Sequence, residues 1–147
     1  MKKLVHFICI ILVCSLLLAT PAQATGVAEP RASAFFSSYG TDLYKTSSSS
    51  FQVWFDVVAN AGPSMQELGV SEIVVYRSAD RQSWTRMNTY RMGTYPQMVE
   101  QNTQSHEGYV VYNNATTGYY YRARITFYAK NSTGIGELDE YTEIIRM

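Results

Sequence analysis

From Phe51 to Ala59 the chain alternates strictly. Phe51, Val53, Phe55, Val57 and Ala59 share one parity, with Gln52, Trp54, Asp56 and Val58 between them. A period of two is the mark of a half-buried strand. Gly118–Ala129 repeats it at greater length. Tyr119, Tyr121, Ala123, Ile125 and Phe127 fall on one face, and Tyr120, Arg122, Arg124, Thr126 and Tyr128 on the other. The first set is expected in a core and the second at a wet surface, because side chains alternate across a strand. Glu72–Arg77 and Trp84–Arg91 flank the polar run 78–83 and read as a hairpin. Weaker signals fill the rest. Arg31–Tyr39 is an edge strand ended by Gly40, and Lys45–Ser50 is a serine loop with nothing to order it. Ser64–Gly69 carries a cap, a glutamate three residues on and a glycine stop, which predicts one helical turn placing Met65 and Leu68 as a plug. Gly93–Ser105 lacks a period and reads as a long surface connection. Gly108–Tyr112 is a short strand, Asn113–Thr117 and Asn131–Gly136 are turns, and Tyr141–Arg146 is the last strand.

No segment outside the N-terminal apolar run holds a helical period over three turns, so the domain is expected to be all-β. Six or seven short strands punctuated by turns predict a two-sheet antiparallel sandwich. One sheet would take 72–77, 84–91, 118–129 and 141–146; the other would take 33–39, 51–59 and 108–112.

The N-terminus changes the accounting. Met1-Lys2-Lys3, an apolar run from Leu4 to Ala19 and Ala22-Gln23-Ala24 have the form of a cleaved secretory signal. A membrane anchor fits less well, since His6 interrupts a run already short of the ~20 residues a span needs. Cys14 lies inside the apolar run, not behind small residues, which argues against a lipoprotein. The expected division is a signal peptide over 1–24, a disordered polar leader over 25–30 and one domain over 31–147, secreted and free of the membrane. Both cysteines, Cys9 and Cys14, would leave with the signal, so the domain is read as disulfide-free. Losing Lys2 and Lys3 moves the formal charge from zero to −2, which gives no support to nucleic-acid binding. A chain of this length buries roughly two thirds of its unfolded surface, enough to fold without a staple.

Candidate chemistry is sparse. His106 is the one histidine past the signal, and a lone histidine does not supply the donor set zinc requires. It is expected to bond loop backbone beside Gly108. Glu137, Asp139 and Glu140 are the densest acidic cluster, read as a solvated turn without the spacing of a calcium loop. Asp56 and Glu72 have no sequence relation that would set a catalytic carboxylate separation. Asp80 in Ser78–Trp84 has partial likeness to the Asp-box of sialidase propellers, but it lacks the glycine and the repeats and is read as a turn-building aspartate. Asn114-Ala115-Thr116 and Asn131-Ser132-Thr133 match a glycosylation pattern, taken as coincidental beside a bacterial-type leader. No catalytic residue, metal site or cofactor is expected.

Tyr121-Arg122-Ala123-Arg124-Ile125 following Gly118 resembles the sixth strand of fibronectin type III and related Ig-like domains, where a corner tyrosine precedes core aliphatics. Ile73–Ser78 with Asp80 and Trp84 is similar to the central hairpin of those domains. Arg31-Ala32-Ser33, the Tyr76, Ser78, Asp80 and Trp84 hairpin, His106 with Gly108, and Gly118 with Tyr120 and Tyr121 carry a closer likeness. Together they resemble small secreted single-domain proteins of unknown function from Gram-positive, Clostridia-like bacteria. The resemblance spans 31–146 and implies an Ig/fibronectin-III-like sandwich outside the cell, with no activity attached.

One surface is left to carry function. Tyr120, Arg122, Arg124 and Tyr128 are expected to point out together, joined by Tyr76 from the neighbouring strand, and tyrosine and arginine are enriched where proteins bind. The same residues could simply cover a sheet, cations stacked on rings. Trp54 beside Asp56 is a weaker candidate for a sugar platform. The expected function is a non-catalytic extracellular module that binds a protein or glycan. The alternatives are a small secreted enzyme, for which no nucleophile–base set can be named, and a bacteriocin-like or toxin-like effector.

Overall fold

Alternation decides the core. Along β2 (Phe51–Ala59) the odd-numbered residues are buried and the even ones are half-buried or exposed. β7 (Tyr120–Asn131) behaves in the same way as far as Phe127, with Tyr121, Ala123, Ile125 and Phe127 at 0% exposure. The computed structural model describes residues 34–147, so the expected signal peptide, the expected polar leader and Arg31-Ala32-Ser33 lie outside the described residues.

The described residues form β1 (Phe36–Lys45), β2, β3 (Met65–Ser78), β4 (Thr85–Arg91), β5 (Val99–Thr103), β6 (Ser105–Tyr112), β7, β8 (Gly134–Tyr141) and β9 (Ile145–Arg146). The described residues are all-β, and every pairing among them is antiparallel. A three-stranded sheet runs β1-β2-β6. The larger sheet runs β4-β3-β7-β8, with β5 added beside the start of β3 and β9 beside the start of β7. The strands expected from the sequence fall on the sheets assigned to them, and the larger sheet gains two that were not expected, β5 and β8. The sheets pack face to face: the Phe51 ring lies 5.3 Å from Tyr121, and Phe36 lies 6.5 Å from Phe127. The Tyr90 hydroxyl donates to the Val111 carbonyl at 2.9 Å, tying β4 to β6 across the core. Burying aromatic and aliphatic side chains of this size is worth about 1.5–3 kcal/mol each, which holds the domain together without a disulfide.

Several local expectations fail for identifiable reasons. Ser64–Gly69 is not helical; from Met65 onward it is the first part of β3. Here β5 pairs with one edge of β3 and β7 with the other, and two ladders outweigh a single capped turn. Met65 and Leu68 are buried all the same. Gly69 has φ 154°, and a Cβ there would run into the Met98 carbonyl, so its role is close approach and not helix termination. Gly40 does not end β1, which continues to Lys45 paired with Phe51. The serine loop that follows is ordered by its own hydroxyls, with Ser50 Oγ 2.7 Å from both Thr46 Oγ1 and Ser47 Oγ. The surface connection 93–105 holds a 3-10 turn at Pro96–Met98 and strand β5, and Met98 is fully buried. The acidic turn is strand β8, and the final strand shortens to Ile145–Arg146.

Candidate binding face

The outward side of the larger sheet brings the predicted residues together. Register puts Arg122 opposite Tyr76 and Arg124 opposite Val74 on β3. On the other side of β7, Tyr120 faces Arg146, Arg124 faces Tyr141, and Tyr128 faces Glu137. The result is one continuous face with two chemically different ends.

The first end is built of arginines lying on rings. The Arg122 guanidinium sits 4.3 Å from the Trp84 ring centre, 4.6 Å from Tyr141 and 6.0 Å from Tyr76. Tyr120 carries Arg81 at 4.4 Å and Arg146 at 5.5 Å. Desolvated stacks of this kind contribute about 0.5–2 kcal/mol each. The β3–β4 turn aims Arg81 and Trp84 at this end. Ser78 Oγ accepts the Arg81 amide at 2.8 Å, and Asp80 Oδ1 accepts those of Gln82 and Ser83 at 2.8 and 2.9 Å. The backbone bonds from Ser83 and Gln82 hold the Asp80 carboxyl below its ordinary pKa. Asp80 is thus the turn-building residue that its position suggests. Arg81 has φ 64°, the left-handed conformation that swings its side chain over Tyr120.

The second end is a charge network. Arg124 bonds Glu72 at 2.8 Å and lies 3.6 Å from Asp139; Arg91 reaches the same Glu72 at 3.0 Å. Burial works against the Arg124 charge, but Asp139, Tyr76 and Glu72 outweigh it and raise its pKa. Tyr128 shares the face yet is not available on it, which corrects the sequence expectation. It is 5% exposed, and its hydroxyl donates to Glu67 Oε2 at 2.9 Å. Burial first, then the Glu67 carboxylate, push the phenol up to about 12. The Tyr128 hydroxyl, with Lys130 at 3.3 Å, lowers Glu67. Glu137 and Asp139 also point outward from β8, while Glu140 pairs opposite the core residue Ile125, so the acidic cluster is divided by strand alternation.

Of the five sequence-predicted residues, Tyr76, Tyr120 and Arg122 meet at the ring-rich end. Arg124 belongs to the ion pairs and Tyr128 to a buried hydrogen bond. Arg81, Trp84, Tyr141 and Arg146 complete the first end and were not singled out as binding residues. Trp84 and Arg81 were legible as the flanks of a turn-building aspartate. Tyr141 and Arg146 were hidden because β8 and β9 have little alternation.

A second feature lies at the edge of the smaller sheet. An open depression of about 450 Å³ is lined by Asp56, Glu100, Ser105, His106 and Glu107, among others. Both His106 nitrogens are engaged there, Nδ1 at 3.1 Å from Glu100 Oε2 and Nε2 at 3.0 Å from the Gln97 carbonyl, so His106 does bond loop backbone. Trp54 stands nearby on β2 opposite Tyr109 and Asp42. No group of three or more potential metal ligands occurs among the described residues. Compared with known proteins, the chain matches no family model, no curated sequence and no solved structure.

Proposed function

We propose that the protein is a secreted, non-catalytic module of the Ig/fibronectin-III kind that binds an extracellular partner through the ring-rich end of its larger sheet. The observation that carries this reading is the Arg122 guanidinium held among Trp84, Tyr141 and Tyr76, beside Tyr120 with Arg81 and Arg146. Rigid aromatic area with arginine donors at its margin is the composition of binding hot spots. Two features support the finer fold reading. The strand order 1-2-6 and 4-3-7-8 has the connectivity of an Ig-like sandwich whose fourth strand has joined the third, with the fifth and sixth acting as one interrupted strand. The Tyr121 hydroxyl also accepts the backbone N–H of Thr116 at 2.7 Å, five residues upstream, as a corner tyrosine would.

The test is capture from extracellular extract by the purified protein. Arg122 makes no ion pair among the described residues, so Arg122→Ala should keep a cooperative folded state, its midpoint lowered only by the lost stacks, and lose capture. Capture that survives the change removes the reading. The depression around His106 favours a second possibility, a small secreted hydrolase using the nearby carboxylates. Against it, the Glu100 carboxylate lies 3.1 Å from Nδ1 and the Gln97 carbonyl 3.0 Å from Nε2, so protein groups occupy both positions through which a substrate would reach the ring nitrogens. Hydrolytic turnover lost in Asp56→Asn and kept in Arg122→Ala would establish that alternative.

A further inference from the structure

Resting on the binding reading above, we infer that the partner is an anionic polysaccharide whose carboxylate or sulfate groups are taken by the arginines of the ring-rich end. Arg81, Arg122 and Arg146 gather there on the rings of Tyr120, Trp84 and Tyr141, and none is ion-paired among the described residues. Of the acids on the same face, Glu67, Glu72 and Asp139 lie toward the opposite end and hold Lys130, Arg91 and Arg124, and Glu137 beside them accepts the Ser71 hydroxyl. Asp80, the carboxylate of the neighbouring turn, accepts the Ser78 hydroxyl and two backbone amides with one oxygen. On this face the guanidinium groups without an ion pair are therefore concentrated at one place.

The form of that charge selects the ligand. A guanidinium stacked on a ring keeps its N–H edge for a planar oxyanion, which it grips with two parallel bonds. Arg122 Nε is buried without a hydrogen-bond partner among the described residues, so part of the desolvation that anion binding requires is already met in the folded protein. Tyr141, 46% exposed and 4.6 Å from that guanidinium, offers an apolar ring on which a pyranose can lie while its acidic group reaches Arg122. Large apolar side chains exposed at this end reduce to Tyr141 and, in the connection beyond it, Ile144. A protein partner would instead need a desolvated apolar centre. Stacking of successive nucleic-acid bases is disfavoured because guanidinium groups lie against Trp84 and Tyr120, which leaves Tyr141 as a single open ring and not a platform.

The experiment titrates the purified protein with polygalacturonate and dextran sulfate, using neutral dextran and polyglutamate as controls, by calorimetry. At least one sugar polyanion should bind and dextran should not. Affinity should fall steeply from about 50 to about 200 mM salt, as expected when cations replace counterions. Arg122→Gln and Arg81→Gln should each weaken binding about tenfold, the loss of one charge-assisted bond. The inference is overturned if neither sugar polyanion binds at the lower salt, if polyglutamate binds as tightly, or if both variants bind like the parent. Capture from extract that depends on Arg122 while both sugar polyanions fail would remove the ligand class alone. Capture indifferent to Arg122 would remove the binding reading too.

Discussion

Tyr128→Phe isolates the one face tyrosine that the fold has claimed for itself. The ring is retained, so packing is unchanged, and the bond from the hydroxyl to Glu67 Oε2 at 2.9 Å is lost. The rise of the phenol from about 10 to about 12 sets a ceiling of about 2.7 kcal/mol on what the neutral form gains there. The side chain of Glu67 is 25% exposed, and solvent reduces that figure. A net loss of about 1.5 kcal/mol is expected, in the range of a hydrogen bond to a charged group and equivalent to about 6 °C in melting temperature for a domain of this size. The pH dependence has a definite sign at both limbs. Glu67 is lowered in the folded state, so its contribution is present above its ordinary pKa and vanishes as pH falls through the folded value. Tyr128 is raised, so its contribution is complete below about pH 10 and is lost as pH climbs through about 12. Urea unfolding followed by tryptophan fluorescence at pH 3, 7 and 10 would measure the difference between parent and variant. The difference should be largest at pH 7 and shrink on the acid side. A variant as stable as the parent at pH 7, or one whose deficit is the same at pH 3, would refute the reasoning.

Other positions give sharper contrasts. Gly69→Ala meets both a positive φ and the Met98 carbonyl, so chemical denaturation should show a loss of more than about 2 kcal/mol. Tyr121→Phe leaves the Thr116 N–H to solvent and should cost about 1 kcal/mol, read as a lower midpoint at constant m-value. Arg124→Ala strips a partner from Glu72 and Asp139 and should destabilise by about 1–2 kcal/mol. Arg122→Ala at the next outward position gives up the stacks on Trp84 and Tyr141, about 1–2 kcal/mol together, and should lower the thermal midpoint by about 4–8 °C with the fold retained.

Legibility in the sequence followed burial. β2 and β7 have one fully buried face and one wetter face, so hydrophobicity alternates along them and both were readable. The part of β3 from Met65 to Val70 mixes buried and open positions across a register shift, and its Ser-x-x-Glu pattern looked like a helix start. β5 is Val-Glu-Gln-Asn-Thr with no buried residue, an edge strand defined only by its pairing with β3. In β8 the inward positions are Gly136, Leu138 and Glu140, too weak a pattern to distinguish from a turn. The candidate face was half legible for the same reason. Residues on β7 and Tyr76 on β3 could be assigned to one side by parity, whereas Trp84, Arg81, Tyr141 and Arg146 join it only through the turn and the strand pairings. Whether an outward tyrosine is free or covered is a tertiary property, and Tyr128 shows that parity does not decide it.

The two tryptophans stand on opposite sheets, Trp84 against Arg122 and Trp54 opposite Tyr109, so each reports on one face of the molecule. The most direct measurement records both indole N–H signals of ¹⁵N-labelled protein during addition of extracellular polymer extract. A shift or broadening of the Trp84 signal with Trp54 unmoved is the expected result. Movement of Trp54 alone would place the contact on the smaller sheet and contradict the assignment of the ring-rich end.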